Sequence, residues 1–191
     1  MTEKKQNIDE HAADNIRRLT QIGMALSAEK DINRLMEKIL NEARVLTNAD
    51  GGTLYLLSQA EDELQFAFVQ NESLGISMGG TKGETTWPPI KLTGTDGLPN
   101  HDNVSAHVAI TGEPVNIADV YDAPGFNFEG PRAYDQERGY RTQSMLVVPM
   151  RDHNSEIIGV LQLLNATDPS TGRLLSFSQP SQELASSAIR K

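Results

Sequence analysis

Ser144-Met145-Leu146-Val147-Val148-Pro149-Met150, the turn Asp152-His153-Asn154-Ser155, and then Ile157-Ile158-Gly159-Val160-Leu161-Gln162-Leu163-Leu164 form the stretch that decides the fold class. Two nearly continuous aliphatic runs of strand length flank four polar turn residues. That pattern predicts two buried strands, residues 144–150 and 156–165, joined as a hairpin.

A second hairpin lies upstream. Thr53-Leu54-Tyr55-Leu56-Leu57-Ser58 reads as a strand, residues 59–62 as a turn, and residues 63–70 as a strand in which Leu64, Phe66 and Phe68 alternate with the rest. Before it, Asp31 is positioned as an N-cap for a helix with Ile32, Leu35, Met36, Ile39, Leu40, Ala43 and Leu46 on one broad face, stopped by residues 47–52. Residues 8–27 place Ile8, Ala12, Asn15, Leu19, Ile22 and Leu26 on a heptad seam, either a helix packed on its own domain or a two-stranded dimer contact registered by Asn15. The domain division is thus residues 1–28, an N-terminal helix, and residues 29–191, one domain.

Between the hairpins the chain is irregular. Residues 71–103 hold six glycines and three prolines and read as a long loop with at most a short strand at residues 90–92, of the kind that forms lids or binding segments. Residues 104–110 read as a short helix ended by Gly112, residues 114–118 as a short strand, and residues 119–142 as a polar, turn-rich stretch. Residues 179–191 carry Leu184, Ala185, Ala188 and Ile189 at helical spacing up to the terminus without a stop signal, as expected of a helix that continues in a longer protein. Paired strands with helices outside predict an α+β fold with an antiparallel sheet.

Composition narrows the function. The chain has 191 residues and a net charge of −9, which argues against nucleic acid and anionic membranes as partners. It has no cysteine, which removes disulfides, thiolate metal sites and cysteine nucleophiles. No apolar run reaches the roughly 20 residues of a membrane span, and residues 1–7 lack a signal-peptide core, so a cytoplasmic location is expected. His11, His101, His107 and His153 show no zinc spacing, and Gly79-Gly80-Thr81-Lys82-Gly83 fails the phosphate-loop pattern. No catalytic residue, metal site or cofactor is expected.

What remains is a binding pocket. The stretches 63–71, 104–108, 121–144 and 160–165 set polar residues beside apolar strand ends. Tyr121, Phe126, Phe128, Tyr134 and Tyr140 place five of the chain's ten aromatics in twenty residues. Such residues either stack on a planar ligand or cap the core from outside.

Residues 121–127, Asp135, residues 139–150 and residues 158–165 together resemble the second half of a GAF domain, nearest the branch found in cyclic-nucleotide phosphodiesterases, adenylyl cyclases and bacterial HD-GYP proteins. The resemblance implies a sheet of five or six strands, helices on one face and a loop-roofed pocket on the other. It implies a small-molecule ligand, a cyclic nucleotide or another metabolite, with Gln70, Ser105, Tyr121, Phe128, Tyr134, Asp135, Thr142, Ser144 and Gln162 as the ligand-binding residues. Phe128 or Tyr134 would stack, and Asp135, Thr142 and Gln162 would hydrogen-bond. The cyclic-nucleotide branch carries an Asn-Lys and Phe-x-x-x-Asp-Glu signature. Here Asn165 and Phe177 match it, whereas Ala166, Ser181 and Gln182 do not, so weak or absent cyclic-nucleotide binding is expected. GAF-fold methionine sulfoxide reductases need cysteines that this chain lacks. The resulting expectation is a sensor domain controlling an effector such as an HD-GYP phosphodiesterase of cyclic di-GMP, homodimeric through its terminal helices. The alternative is a ligand-free dimerisation module.

Overall fold

A computed structural model describes residues 31–83 and 85–189. The heptad seam of residues 8–27 lies outside the described residues. The first described helix, α1 (Ile32–Thr47), begins as predicted: the Asp31 carboxylate accepts from the N–H groups of Asn33 and Arg34. It ends where Asn48 turns left-handed, at φ 51°. Its fully buried apolar residues are Met36, Leu40 and Ala43, at spacings of four and three, with Ile39 half-buried against the same core; of the expected face only Ile32, at the first helical position, is exposed.

The sheet contains β1 (Ala49–Leu57), β2 (Glu63–Asn71), β3 (Ile76–Gly79), β5 (Val115–Ile117), β6 (Met145–Arg151) and β7 (Ile157–Thr167) in the order β3-β2-β1-β7-β6-β5, all antiparallel. Two short strands attach to it: β4 (Ile90–Lys91) beside β2 and β8 (Leu174–Leu175) beside β7. The predicted hairpins are β1–β2 and β6–β7, and the contact between them is β1 against β7.

One face of the sheet packs Leu54, Phe68, Leu146, Val148, Leu161 and Leu163 against Met36, Leu40 and Ala43 of α1 and against Ala185 of α4 (Gln179–Ala188); α1 and α4 also pack on each other. The other face buries Tyr55, Leu64, Met145, Val147 and Val160 against Val104 and Val108 of α2 (Val104–Thr111), with Phe128 at the start of α3 (Glu129–Arg138). Helices therefore accompany the loops on this face too.

Three parts of the sequence reading are corrected. The turn-rich stretch 119–142 contains α3, a helix whose single buried residue is Asp135. With no apolar stripe it left no periodic signal, and Gly130 and Pro131, which read as turn residues, sit in its first turn, where proline is tolerated. The long loop contains β3 and a 3₁₀ turn, Gly80–Lys82. Gly51 and Gly52, taken as a helix stop, belong to β1. A side chain at Gly52 would place its Cβ 2.7 Å from Leu40 Cδ1 and 3.0 Å from the Gln162 carbonyl, so glycine is what lets α1 lie this close to the sheet.

Gly52→Ala is accordingly expected to destabilise the fold by about 1–3 kcal/mol in urea unfolding. Combining it with Leu40→Ala should cost less than the two single losses added together, because the second change removes the clashing methyl.

Candidate ligand-binding site

Between the α2–α3 face of the sheet and the segments that cover it lies a cavity of about 520 Å³. Its floor is built from three adjacent strands. Thr53 and Gln162 are register partners across β1–β7, and Thr53 also faces Val69 of β2; directly opposed residues share a face, which places these side chains together. Tyr55, Asn71 and Leu164 extend the floor, Asn103, Val104 and Ser105 at the start of α2 form one wall, and Asn127, Phe128, Gly130, Pro131 and Tyr134 form another.

The polar groups on the floor are connected. Ser105 Oγ donates to Gln162 Oε1 at 3.0 Å. That bond orients the Gln162 amide, whose nitrogen takes up no protein acceptor among the described residues. Burial pushes the Tyr55 phenol up to about 12, an effect partly offset by the nearby hydroxyls of Ser105 and Thr53, so Tyr55 stays neutral throughout the physiological range.

Aromatic rings arch from floor to roof. Tyr55 and Phe66 are 4.8 Å apart between centroids, Phe66 meets Trp87 edge-on at 5.2 Å, and Trp87 meets Tyr134 edge-on at 6.1 Å. Edge-to-face pairs at these separations are attractive beyond their buried area.

Of the nine residues expected at the site, Ser105, Phe128, Tyr134, Thr142 and Gln162 line the cavity through this face. Gln70 borders it, but its side chain belongs to the opposite face. It pairs with Gly52, whose missing Cβ would point at Leu40 of α1. Its Oε1 is buried there without a hydrogen-bond partner among the described residues.

Tyr121, Asp135 and Ser144 do not line the cavity. Asp135, 1% exposed, accepts from the Thr142 N–H at 2.7 Å, the Thr142 hydroxyl at 2.9 Å and the Tyr121 hydroxyl at 3.1 Å. A buried carboxylate so surrounded is a structural clasp. Tyr121 is further held outside by Arg141 and Arg132 over its ring. Ser144 Oγ accepts the Ala166 N–H at 3.0 Å, bracing β6 on β7.

A second clasp involves Asn165, which donates to the Tyr140 hydroxyl and the Arg141 carbonyl and accepts from the Gln143 N–H. Tyr140 in turn donates to Asp50 at 2.7 Å; burial and that carboxylate both push its phenol well above the usual range. The residues sequence reasoning missed are Thr53, Tyr55, Phe66, Asn71 and Trp87. The strand alternation of β1 could have found Thr53 and Tyr55; Phe66 and Asn71 share the cavity only because the β1–β2 register shifts between Leu54 and Tyr55, and Trp87 sits in a loop with no periodic signal. Among the described residues, no three His, Cys, Asp or Glu side chains gather as a metal site.

An antiparallel sheet with the order β3-β2-β1-β7-β6-β5, helices behind it and an aromatic-walled cavity in front define the class, and the family model for the GAF domain matches residues 31–189. The chain belongs to the GAF domain family. It is 31% identical over 140 residues to the dual 3′,5′-cyclic-AMP and -GMP phosphodiesterase 11 of Drosophila melanogaster, a match that covers 72% of this chain and 9% of that much longer protein. Among solved structures it resembles the GAF domain of an Acinetobacter phosphoenolpyruvate-protein phosphotransferase, with a TM-score of 0.61, 15% identity and 92% of each chain covered. It also resembles the free methionine-R-sulfoxide reductase of Neisseria meningitidis, with a TM-score of 0.60, 20% identity, and 94% of this chain and 88% of that one covered. At these identities the structural likenesses speak for the fold.

Replacing Asp135 by Asn removes the charge that strengthens all three bonds and turns an amide N–H₂ toward the Thr142 hydroxyl, which must reverse to accept it. Asp135→Asn is expected to lower stability by about 1–3 kcal/mol and to speed hydrogen exchange at the Thr142 amide, read by mass spectrometry or NMR.

Proposed function

We propose that this chain is a non-catalytic, ligand-sensing regulatory domain of a bacterial signal-transduction protein, working in the cytoplasm upstream of an effector such as an HD-GYP phosphodiesterase of cyclic di-GMP. The observation that carries the sensing part is the cavity: largely apolar and aromatic walls with a few convergent hydrogen-bonding groups on a rigid sheet, the usual make-up of a small-molecule site. Binding rather than reaction is favoured because the buried acid nearest the cavity, Asp135, is fully engaged by protein donors. The signalling part is supported by the phosphodiesterase relative. The HD-GYP effector rests on the likeness of residues 71–76 and 151–165 to domains of that kind.

A bound ligand would act through the walls. It would order the roof around Trp87 and the segment from Tyr121 to Thr142, and transmit only as much as its affinities for two arrangements differ. The terminal helices, with the seam Ile8, Ala12, Asn15, Leu19, Ile22 and Leu26, would form the homodimer that carries the signal.

Native mass spectrometry of the purified chain tests the sensing reading. A co-purifying small molecule is expected, and Gln162→Leu should weaken its retention by about 1–3 kcal/mol, whereas Gln70→Leu, on the other face, should leave it intact. A chain without adduct, whose thermal midpoint also stays fixed across a metabolite library, would count against sensing and for a pure dimerisation module. Sedimentation separates the dimer: the wild type should be dimeric at about 10⁻⁵ M and Leu19→Glu monomeric, with equal sedimentation of the two removing the seam from the mechanism.

A further inference from the structure

The histidines show no metal spacing in the sequence, but the fold brings two of them together beside the cavity wall. His101, at the end of the segment that runs from Trp87 to α2, and His107, on α2, place their Nδ1 atoms 3.0 Å apart, with ring centroids 5.0 Å apart. One hydrogen lies between two neutral ring nitrogens this close, so one of them presents a lone pair to the other. Two nitrogens bound to a single ion at about 2.1 Å and at right angles to each other stand about 3 Å apart. The separation of the pair is therefore the bite of neighbouring ligands on an octahedral or tetragonal ion, and is shorter than the roughly 3.4 Å that a tetrahedral ion sets at the same bond length.

Both rings stand on backbone that is already fixed. Before His101, Asn100 donates through its N–H to the Leu92 carbonyl and through its side-chain amide to the Lys91 carbonyl. After it, the Asp102 carbonyl accepts from the Asn127 N–H, and Asn103 caps α2. The His107 N–H donates to the Asn103 carbonyl, and the His107 ring meets Phe126 edge-on at 5.4 Å. Ligands held in place beforehand lose little freedom when an ion arrives. His101 is exposed and His107 half-buried, so an ion with its remaining waters reaches the pair from solvent. The exposed Asp102 carboxylate makes no hydrogen bond or ion pair among the described residues, and it and the chain's net charge of −9 draw cations to the surface.

We propose that His101 and His107 form a binding site for a divalent transition-metal ion of the Ni²⁺ or Cu²⁺ kind, held by the two Nδ1 atoms in neighbouring positions with water completing its shell. Imidazole suits these ions, whereas Mg²⁺ and Ca²⁺ take oxygen ligands. Among the described residues no third His, Cys, Asp or Glu gathers with the pair, which leaves the other positions to water. The ion ties the segment descending from the roof to α2 across the Asn103 cap. Asn103, Val104 and Ser105 line the cavity, while neither histidine does, so the metal stiffens one wall of the ligand site without entering it.

The test is calorimetric titration of the whole chain with Ni²⁺ and with Cu²⁺, together with electron paramagnetic resonance of the Cu²⁺ form, which counts the coordinated nitrogens. An ion coupled to two imidazole nitrogens is expected. His101→Gln and His107→Gln keep a polar side chain at each position and should each weaken binding at least tenfold, leaving one coupled nitrogen or none. His153→Gln, at the turn between β6 and β7, should change neither readout. His101 is exposed, so His101→Gln should unfold at the wild-type midpoint in the presence of EDTA, and its loss of metal is then read on folded protein. No saturable binding by the wild type, coupling to a single nitrogen, or a His101→Gln variant that binds as tightly as the wild type overturns the site. Each of these outcomes is independent of the native mass spectrum that tests the sensing reading.

Discussion

The antiparallel pairing of β1 with β7 is the contact on which everything else rests. It runs from Ala49↔Ala166 to Leu56↔Gly159 and joins two local hairpins separated by most of the chain, a closure that is slow in entropy terms and worth making only once both hairpins present apolar faces. Its register decides which residues meet. With Thr53 opposite Gln162, the two polar side chains stand together on the cavity floor. With Gly52 opposite Leu163, the bare backbone lies beneath α1. A slip of one residue would exchange these faces and put Gln162 under the helix.

Outside the sheet, the cavity walls are irregular backbone that cannot be held by ladder bonds, so they are held by buried polar side chains. Asp135 ties the start of the 121–142 segment to its end, and Asn165 ties its last residues to β7. Both are 1% exposed. Their bonds satisfy backbone and hydroxyl groups that would otherwise be buried without partners. The same chemistry that marks a ligand contact, a polar side chain in an apolar setting, also marks a clasp, and in this domain the two lie side by side.

That neighbourhood explains what was legible in the sequence. The hairpins, α1 with its Asp31 cap, and α2 with its Gly112 stop were readable because apolar periodicity and capping chemistry are local signals. Gln162 and Ser105, which the family resemblance implies as site residues, line the cavity. Gln70 borders the cavity with its side chain on the α1 face, because a bulge between Leu54 and Tyr55 shifts the β1–β2 register, and a shift of one position changes the face. The polar α3 buries little more than a carboxylate and carries no stripe to read. Asp135 and Ser144, expected among the ligand-binding residues, lie off the cavity lining, because their partners, Thr142 and the Ala166 N–H, are fixed by tertiary approach alone.

Trp87 is the chain's single tryptophan, and it stands in the roof with Phe66 on one side and Tyr134 on the other. The domain thus contains one native indole fluorophore, located at the mouth of its cavity and partly open to solvent. Its emission wavelength depends on the polarity around a single ring, so displacement of water from the roof registers as a spectral change with no contribution from a second indole. Occupancy of the cavity can be followed in the unlabelled protein by light alone.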